Sequence, residues 1–277
     1  MRIAFVGHVC VDRNLIRGEL ETFCGGGVIH GAVTARRLGA EVSVLTKCAG
    51  ADRERFTSFR DAGIDANFLP SRCSTSIRNE YPTENPDDRR SYLISRADPF
   101  SSADVASLRA DVIHVNALTH GEFPVELLPQ LKRSAAVLAA DAQGFLRRAD
   151  PDGTLTYRDL PDKRNVLAVL DVFKVDTREA LVLTGLEDPR EAARAVRNLG
   201  PAMVVLTHRG GVCICDGREL YESPFTGFTV EGRTGRGDTC TSAFLVAMQQ
   251  QMGLREATAL AAEVTSKKMQ YRGAYRG

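Results

Sequence analysis

Six short apolar runs, at 3–6, 41–46, 112–115, 136–140, 172–175 and 204–207, are separated by amphipathic stretches along most of this chain. Each run has the length of a strand buried on both faces and is too short for a helix. The stretches near 27–38, 52–62, 123–133, 177–184 and 189–199 carry apolar residues at helical spacing. Parallel strands need a long crossover, and a helix between each pair supplies it. The alternation therefore predicts an α/β domain of three layers, αβα, with a mostly parallel sheet between helices.

A chain of 277 residues can hold one large domain or two small ones, at roughly 150 residues per domain. No low-complexity linker or repeat interrupts it, so 1–277 reads as one domain. Lysine plus arginine is 36 against 35 acids, a net charge of +1, which argues against nucleic acid as a partner. No apolar run approaches the ~20 residues of a membrane span. The opening Met1-Arg2-Ile3-Ala4-Phe5-Val6-Gly7 is too short for a signal peptide and reads as a first buried strand. The seven cysteines are odd in number and scattered, with no zinc-ligand spacing. Cysteine used as a small hydrophobe in a cytoplasmic protein is the natural reading.

Residues 13–23 and 74–96 break the alternation. Ser74-Thr75-Ser76-Ile77-Arg78-Asn79-Glu80-Tyr81 and Arg90-Ser91-Tyr92-Leu93-Ile94 alternate in polarity, and Pro82-Thr83-Glu84-Asn85-Pro86-Asp87-Asp88 between them is a turn cluster. These segments predict a β-hairpin, joined by a strand at 13–20, forming a small β lid over the sheet edge. A plain surface hairpin has the same pattern. The lid's mixed charges describe a solvated face rather than an anion clamp.

Gly232-Arg233-Thr234-Gly235-Arg236-Gly237-Asp238-Thr239 runs straight into a segment, 240–251, with helical apolar spacing. Gly235 and Gly237 allow a tight turn, and the helix-start amides then make a site for negative charge. A carboxylate there would repel a phosphate unless it accepts the proton of an attacking hydroxyl, so Asp238 is the candidate general base. A turn whose aspartate merely caps the helix has the same spacing. Arg236-Gly237-Asp238 is also an adhesion tripeptide, a coincidence in a cytoplasmic chain.

This loop resembles the signature Asp-Thr-x-Gly-Ala-Gly-Asp of the ribokinase-like (PfkB) carbohydrate kinases, and the resemblance spans nearly the whole chain. It implies that Gly235, Arg236 and Gly237 form an anion hole and that Asp238 is the catalytic base. Gly232-Arg233 stands where the family has Asp-Thr, which bears on any monovalent-cation site associated with that segment. Arg236 replaces an alanine and places a guanidinium at or beside the anion hole. Gly25-Gly26-Gly27-Val28-Ile29-His30-Gly31-Ala32, with Leu38-Gly39 beyond it, resembles the family's N-terminal pattern. Asp12, Gly25, Gly26 and His30 are then the implied substrate-binding residues, with His30 in place of the usual asparagine.

Further along, Lys174-Val175-Asp176-Thr177-Arg178-Glu179 resembles the family's Asn-x-x-Glu motif. The resemblance implies that Asp176 and Glu179 serve the nucleotide region, with Glu179 reaching magnesium through water. An ordinary capping box fits the same residues. Thr207 and Gly210, in Val204-Val205-Leu206-Thr207-His208-Arg209-Gly210-Gly211, are implied near the phosphates and ribose of ATP. Asp141-Ala142-Gln143-Gly144-Phe145-Leu146-Arg147 matches an Asp-x-Asn-x-Arg-like segment at the end of a central strand.

The expected activity is an ATP- and Mg2+-dependent kinase acting on a small sugar or a cyclic polyol such as myo-inositol. A nucleoside kinase of the same family, or a non-catalytic sugar-sensing homologue, is the alternative. A sensor has no need of a base, and the lack of tryptophan disfavours a nucleobase platform. Gly25-x-Gly27-x-x-x-Gly31 does not follow the first strand directly, as a dinucleotide fingerprint would. No Walker A motif is present. The family's members are often dimers through their lids, which the 74–96 hairpin permits.

Overall fold

The computed structural model describes residues 2–16, 18–81, 89–227 and 231–277. The turn cluster at 82–88 lies outside the described residues. In chain order the first half runs β1 (Arg2–Val6), β2 (Cys10–Ile16), β3 (Glu19–Gly25), α1 (Gly27–Arg37), β4 (Glu41–Cys48), α2 (Ser58–Asp61), β5 (Asp65–Pro70), β6 (Thr75–Tyr81), β7 (Arg90–Ser95) and β8 (Ala110–Val115). There follow α3 (Leu128–Lys132), β9 (Ala135–Asp141), α4 (Gln143–Leu146), β10 (Arg147–Ala149), β11 (Leu155–Tyr157), α5 (Lys163–Leu167) and β12 (Val172–Asp176). The chain closes with α6 (Thr177–Thr184), α7 (Pro189–Arg197), β13 (Met203–Thr207), β14 (Gly211–Cys215), β15 (Leu220–Pro224), α8 (Arg236–Gln249) and α9 (Leu254–Met269).

Nine strands form the central sheet in the order β15-β14-β13-β12-β9-β8-β1-β4-β5. Its pairs are parallel except β13–β14 and β14–β15, so the mostly parallel αβα architecture is as predicted. One core packs α1, α8 and α9 on one face through Ile29, Phe244 and Ala261, and a second packs α3, α6 and α7 on the other through Leu131, Ala180 and Val196. β1 pairs with both β4 and β8, so the chain reverses direction across the sheet there. Ligand clefts form at such a point, outside the carboxyl ends of the strands. Asp141, Asp176 and Thr207 are the last residues of β9, β12 and β13.

A second sheet, in the order β3-β2-β6-β7, holds both segments that broke the alternation. The first is a full hairpin rather than the one strand expected at 13–20. Gly18 turns it with a φ of +85°, and β2 then pairs antiparallel with β3 and parallel with β6. Two predicted helices are also shorter than expected. Residues 52–62 split into a 3-10 turn, Gly50–Arg55, and α2, because the turn buries no side chain while Phe56 and Phe59 turn inward against Phe68. Pro124, extended at φ −60° and ψ 130°, delays the helix expected from 123, so α3 spans only Leu128–Lys132. No described helix is long and apolar enough to cross a membrane.

Candidate active site

Between the two sheets lies a cleft of about 1210 Å³. The second sheet contributes Asp12, Asn14, Phe23, Asn79 and Tyr81 to one end. The other end is built by Lys174, Arg209, Arg233, Arg236 and Lys268, with Asp176 and Thr207 between them, while Arg178 lies 4.8 Å over the Tyr157 ring. Of the predicted residues, Asp12, Gly25, Gly26, His30, Asp176, Thr207 and Gly235 through Asp238 all line this one cleft. Glu179 and Gly210 do not. The amide of Gly210 donates to His208 Nδ1 at 3.2 Å, which makes Gly210 a turn residue.

Glycine at three of these positions is a steric demand. A Cβ on Gly25 would stand 2.7 Å from Asp12 Oδ2, and one on Gly27 would stand 2.7 Å from Asp238 Oδ1. The first glycine run is therefore the wall against which both carboxylates lie. Gly235 has φ +81° as N-cap of α8, and a Cβ there would meet the His30 ring at 2.2 Å. His30 thus packs directly under the second loop. Burial, and then the charge of Lys268, pulls its pKa down to about 3, so the ring is neutral. Its Nδ1 is buried without a hydrogen-bond partner and packs under Gly235.

Asp238 sits in the first turn of α8, where backbone N–H groups have no carbonyl within the helix to bond. Burial, then the charge of Asp141, pushes its pKa up to about 7, against Lys174 and His114, which pull it down. Asp141 is itself held low: burial would raise it, but His114, Lys174 and Asn116 outweigh that. Its partners are His114 Nε2 at 3.1 Å and Asn116 Nδ2 at 2.8 Å. The capping box expected at Asp176 and Glu179 is present on α6, with Glu179 N donating to Asp176 Oδ1 at 2.8 Å and Asp176 N donating to Glu179 Oε2 at 2.7 Å.

Lys174 belongs to the site although no motif singles it out. It is buried in β12, and a Cβ on Gly237 would stand 2.9 Å from its Nζ. Burial lowers its pKa, but Glu179, Asp176, Asp141 and Asp238 together outweigh that and hold it well above an ordinary lysine. The ammonium stays charged, and its nearest carboxylate oxygen is Glu179 Oε2 at 3.4 Å. Glu179, committed to this pair and to the cap, is turned up to about 7 by burial and Asp176. Asp176 is the carboxylate of that motif that lines the cleft.

Arg147, and Asn79 backed by Ser91, complete the acceptor end. Arg147 is buried and lines the cleft, and desolvation lowers its pKa while Tyr157 and Asp12 pull the other way. Ser91 Oγ donates to Asn79 Oδ1 at 2.7 Å, and Asn79 Nδ2 donates to Asn14 Oδ1 at 2.9 Å. Arg236 is half-buried and lies 6.0 Å over the Phe225 ring while lining the cleft.

Residues 2–277 match a sequence model described as pfkB family carbohydrate kinase. The chain is similar to a solved pyrophosphate-dependent kinase in the ribokinase family complexed with a pyrophosphate analog and myo-inositol. The two are 45% identical with a TM-score of 0.94, over 99% of this chain and 97% of that one. It is 44% identical, with a TM-score of 0.92 over 99% and 95% of the two chains, to a pyrophosphate-dependent myo-inositol-1 kinase. That protein was converted into a myo-inositol-3 kinase by changing an asparagine and a serine to leucine. A cytidine kinase of Thermococcus kodakarensis is 26% identical over 94% of this chain and 93% of its own.

Proposed function

The chain belongs to the pfkB family of carbohydrate kinases and has the ribokinase-like fold, and on that premise we propose that it transfers a phosphoryl group from inorganic pyrophosphate to a hydroxyl of myo-inositol or a closely related cyclic polyol. The observation that carries the donor assignment is the composition of the donor end. Lys174, Arg209, Arg233, Arg236 and Lys268 are gathered there, and none of the described residues lining it is a large apolar side chain. Two linked phosphates concentrate charge that such a cation cage suits, whereas adenine needs an apolar or aromatic wall. The aromatic residues of the cleft, Phe23, Tyr81 and Tyr157, belong to the second sheet and to the β10–β11 ribbon beneath the acceptor. ATP, expected from the family resemblance, thus gives way to pyrophosphate, as in the two similar pyrophosphate-dependent kinases.

In this reading Asp12 grips vicinal hydroxyls of the acceptor, and Gly25 and Gly26 let the ring approach the backbone. Asp238 accepts the proton of the attacking hydroxyl as its oxygen bonds to phosphorus and the bridging P–O bond breaks, releasing inorganic phosphate. The amides of Gly237 and Asp238, with Lys174 behind them, hold the transferred oxygens. A magnesium ion would be held by Asp176, whose Oδ1 is fixed by the Glu179 amide, and would neutralise charge on the donor. The test is product formation across pyrophosphate and ATP, each offered with inositols, hexoses, ribose and cytidine. The expected result is turnover with pyrophosphate and an inositol. Turnover with ATP alone would overturn the donor assignment, and preference for cytidine would overturn the acceptor.

Asn79 and Ser91 face each other across β6 and β7, and we assign to them the choice of inositol hydroxyl. Both are buried, and Asn79 lines the cleft on the acceptor side. Replacing both with Leu removes the donor and acceptor of their mutual bond together. Asn14 loses its bond from Asn79 but lines the cleft, where water can replace it, so the fold is retained. The double substitution is expected to move phosphorylation to a different ring carbon. NMR of the product reads this directly, and an unchanged regioisomer would reject the assignment.

A further inference from the structure

Lys268 lies in the last turn of α9 with no exposed surface. Its ammonium donates to the backbone carbonyl of Gly232 at 2.5 Å and to that of Thr234. Both belong to the loop that turns into Gly235 and the first turn of α8. The same loop is stitched to α9 from the other side, since Glu231 N and Gly232 N each donate to Met269 O at 3.0 Å. Gly232 has no room for a side chain, because a Cβ there would stand 1.8 Å from Tyr271 O. The loop therefore rests on α9 with its carbonyls turned inward, converging on one point. Converging backbone carbonyls are how proteins hold a dehydrated monovalent cation, and here a covalently attached ammonium fills that point.

From this geometry we infer that Lys268 is a tethered cation, which holds the Gly232–Thr234 loop and adds positive charge behind the anion hole, so that the protein needs no free monovalent cation there. Gly232-Arg233 in place of Asp-Thr fits the same reading. A free ion would use those carbonyls, and they are already taken. Lys268 is a positioning residue that also lines the donor end, so the inference rests on the proposed donor site and deepens it. Its charge is opposed by burial, which lowers its pKa to about 8, and sustained by Asp238.

The experiment compares KCl with choline chloride at a matched ionic strength of about 0.1 M, in the unsubstituted protein and in Lys268→Ala. The unsubstituted protein should show the same melting temperature and the same turnover in both salts. Lys268→Ala should melt lower and lose about 100-fold in kcat/KM for the donor, and K+ or methylammonium should restore about tenfold of that loss and raise the melting temperature. Lys268→Met, which keeps the stem and fills the space, should lose activity without being rescued. A K+ requirement in the unsubstituted protein would overturn the inference, as would a Lys268→Ala loss that no cation relieves. Because the melting comparison needs no substrate, failure of the pyrophosphate assignment would leave this result readable by itself.

Discussion

Replacing Asp238 with Asn is expected to lower kcat by about 10²–10⁴ while the acceptor's KM changes little, because the amide keeps the shape and loses only the base. Asp238 lies against Gly27 in the first turn of α8, between the acceptor wall and the donor cage. A second signature separates this from simple damage to the site. Burial and Asp141 push Asp238 up to about 7, and only its ionised form can take a proton, so kcat of the unsubstituted protein should fall as pH drops through 7. The residual activity of Asp238→Asn should lose that limb. Stability should move the opposite way. A carboxylate that folding makes easier to protonate costs stability as pH rises from its unfolded value near 3.8 to about 7, and the cost persists above it. The neutral amide escapes this, so the variant should melt higher than its parent at pH 8. Unchanged turnover would remove Asp238 from the chemistry, and a pH limb preserved in the variant would assign it to another group.

The sheet and its helices were legible because buried parallel strands write themselves as apolar runs, and all six predicted runs fall within strands of the central sheet. Both glycine loops were legible for a related reason. Each glycine is imposed by a partner in contact, and Gly27 against Asp238 joins two motifs more than 200 residues apart. Polar pattern was a poorer guide. β2 and β3 resemble one strand in the sequence because neither alternates cleanly, and nothing beside Gly18 marks it as the turn that its φ of +85° makes it. Lys174 has a signature in the sequence. A lysine inside Val-Phe-Lys-Val, in a run buried on both faces, must have an anionic partner, and Glu179 lies five residues on. Lys268 has none. Beside Lys267 at a helix end it looks like an ordinary solvated cation complementing the dipole, and only the tertiary position of the Gly232 loop buries it.

Lys174→Met is expected to carry the largest stability loss in the molecule. The methionine keeps the apolar stem and leaves Glu179, Asp176, Asp141 and Asp238 around an uncharged side chain. Removing one partner of a buried ion pair costs about 3–5 kcal/mol, and at roughly 2–4 °C per kcal/mol the melting temperature should fall by about 6–20 °C at pH 8. The sign of its pH dependence is fixed by the groups left behind. Glu179 and Asp238 already take up protons near 7 with the ammonium present, and without it they do so at higher pH. Below about pH 6 both are neutral in the variant, so the deficit should shrink as the solution is acidified. The parent gains less over this range, because with the ammonium present both groups take up their protons only as pH falls through about 7. Donor affinity should fall in parallel, since the lost cation stands behind the amides of Gly237 and Asp238. Lys174→Arg, tested beside it, restores the charge but not the shape of the space under Gly237. A Lys174→Met protein that melts within about 2 °C of its parent at pH 8 would show that the four carboxylates do not depend on this ammonium. A deficit that stays constant from pH 8 to pH 5 would show that packing, not charge, is what Lys174 supplies.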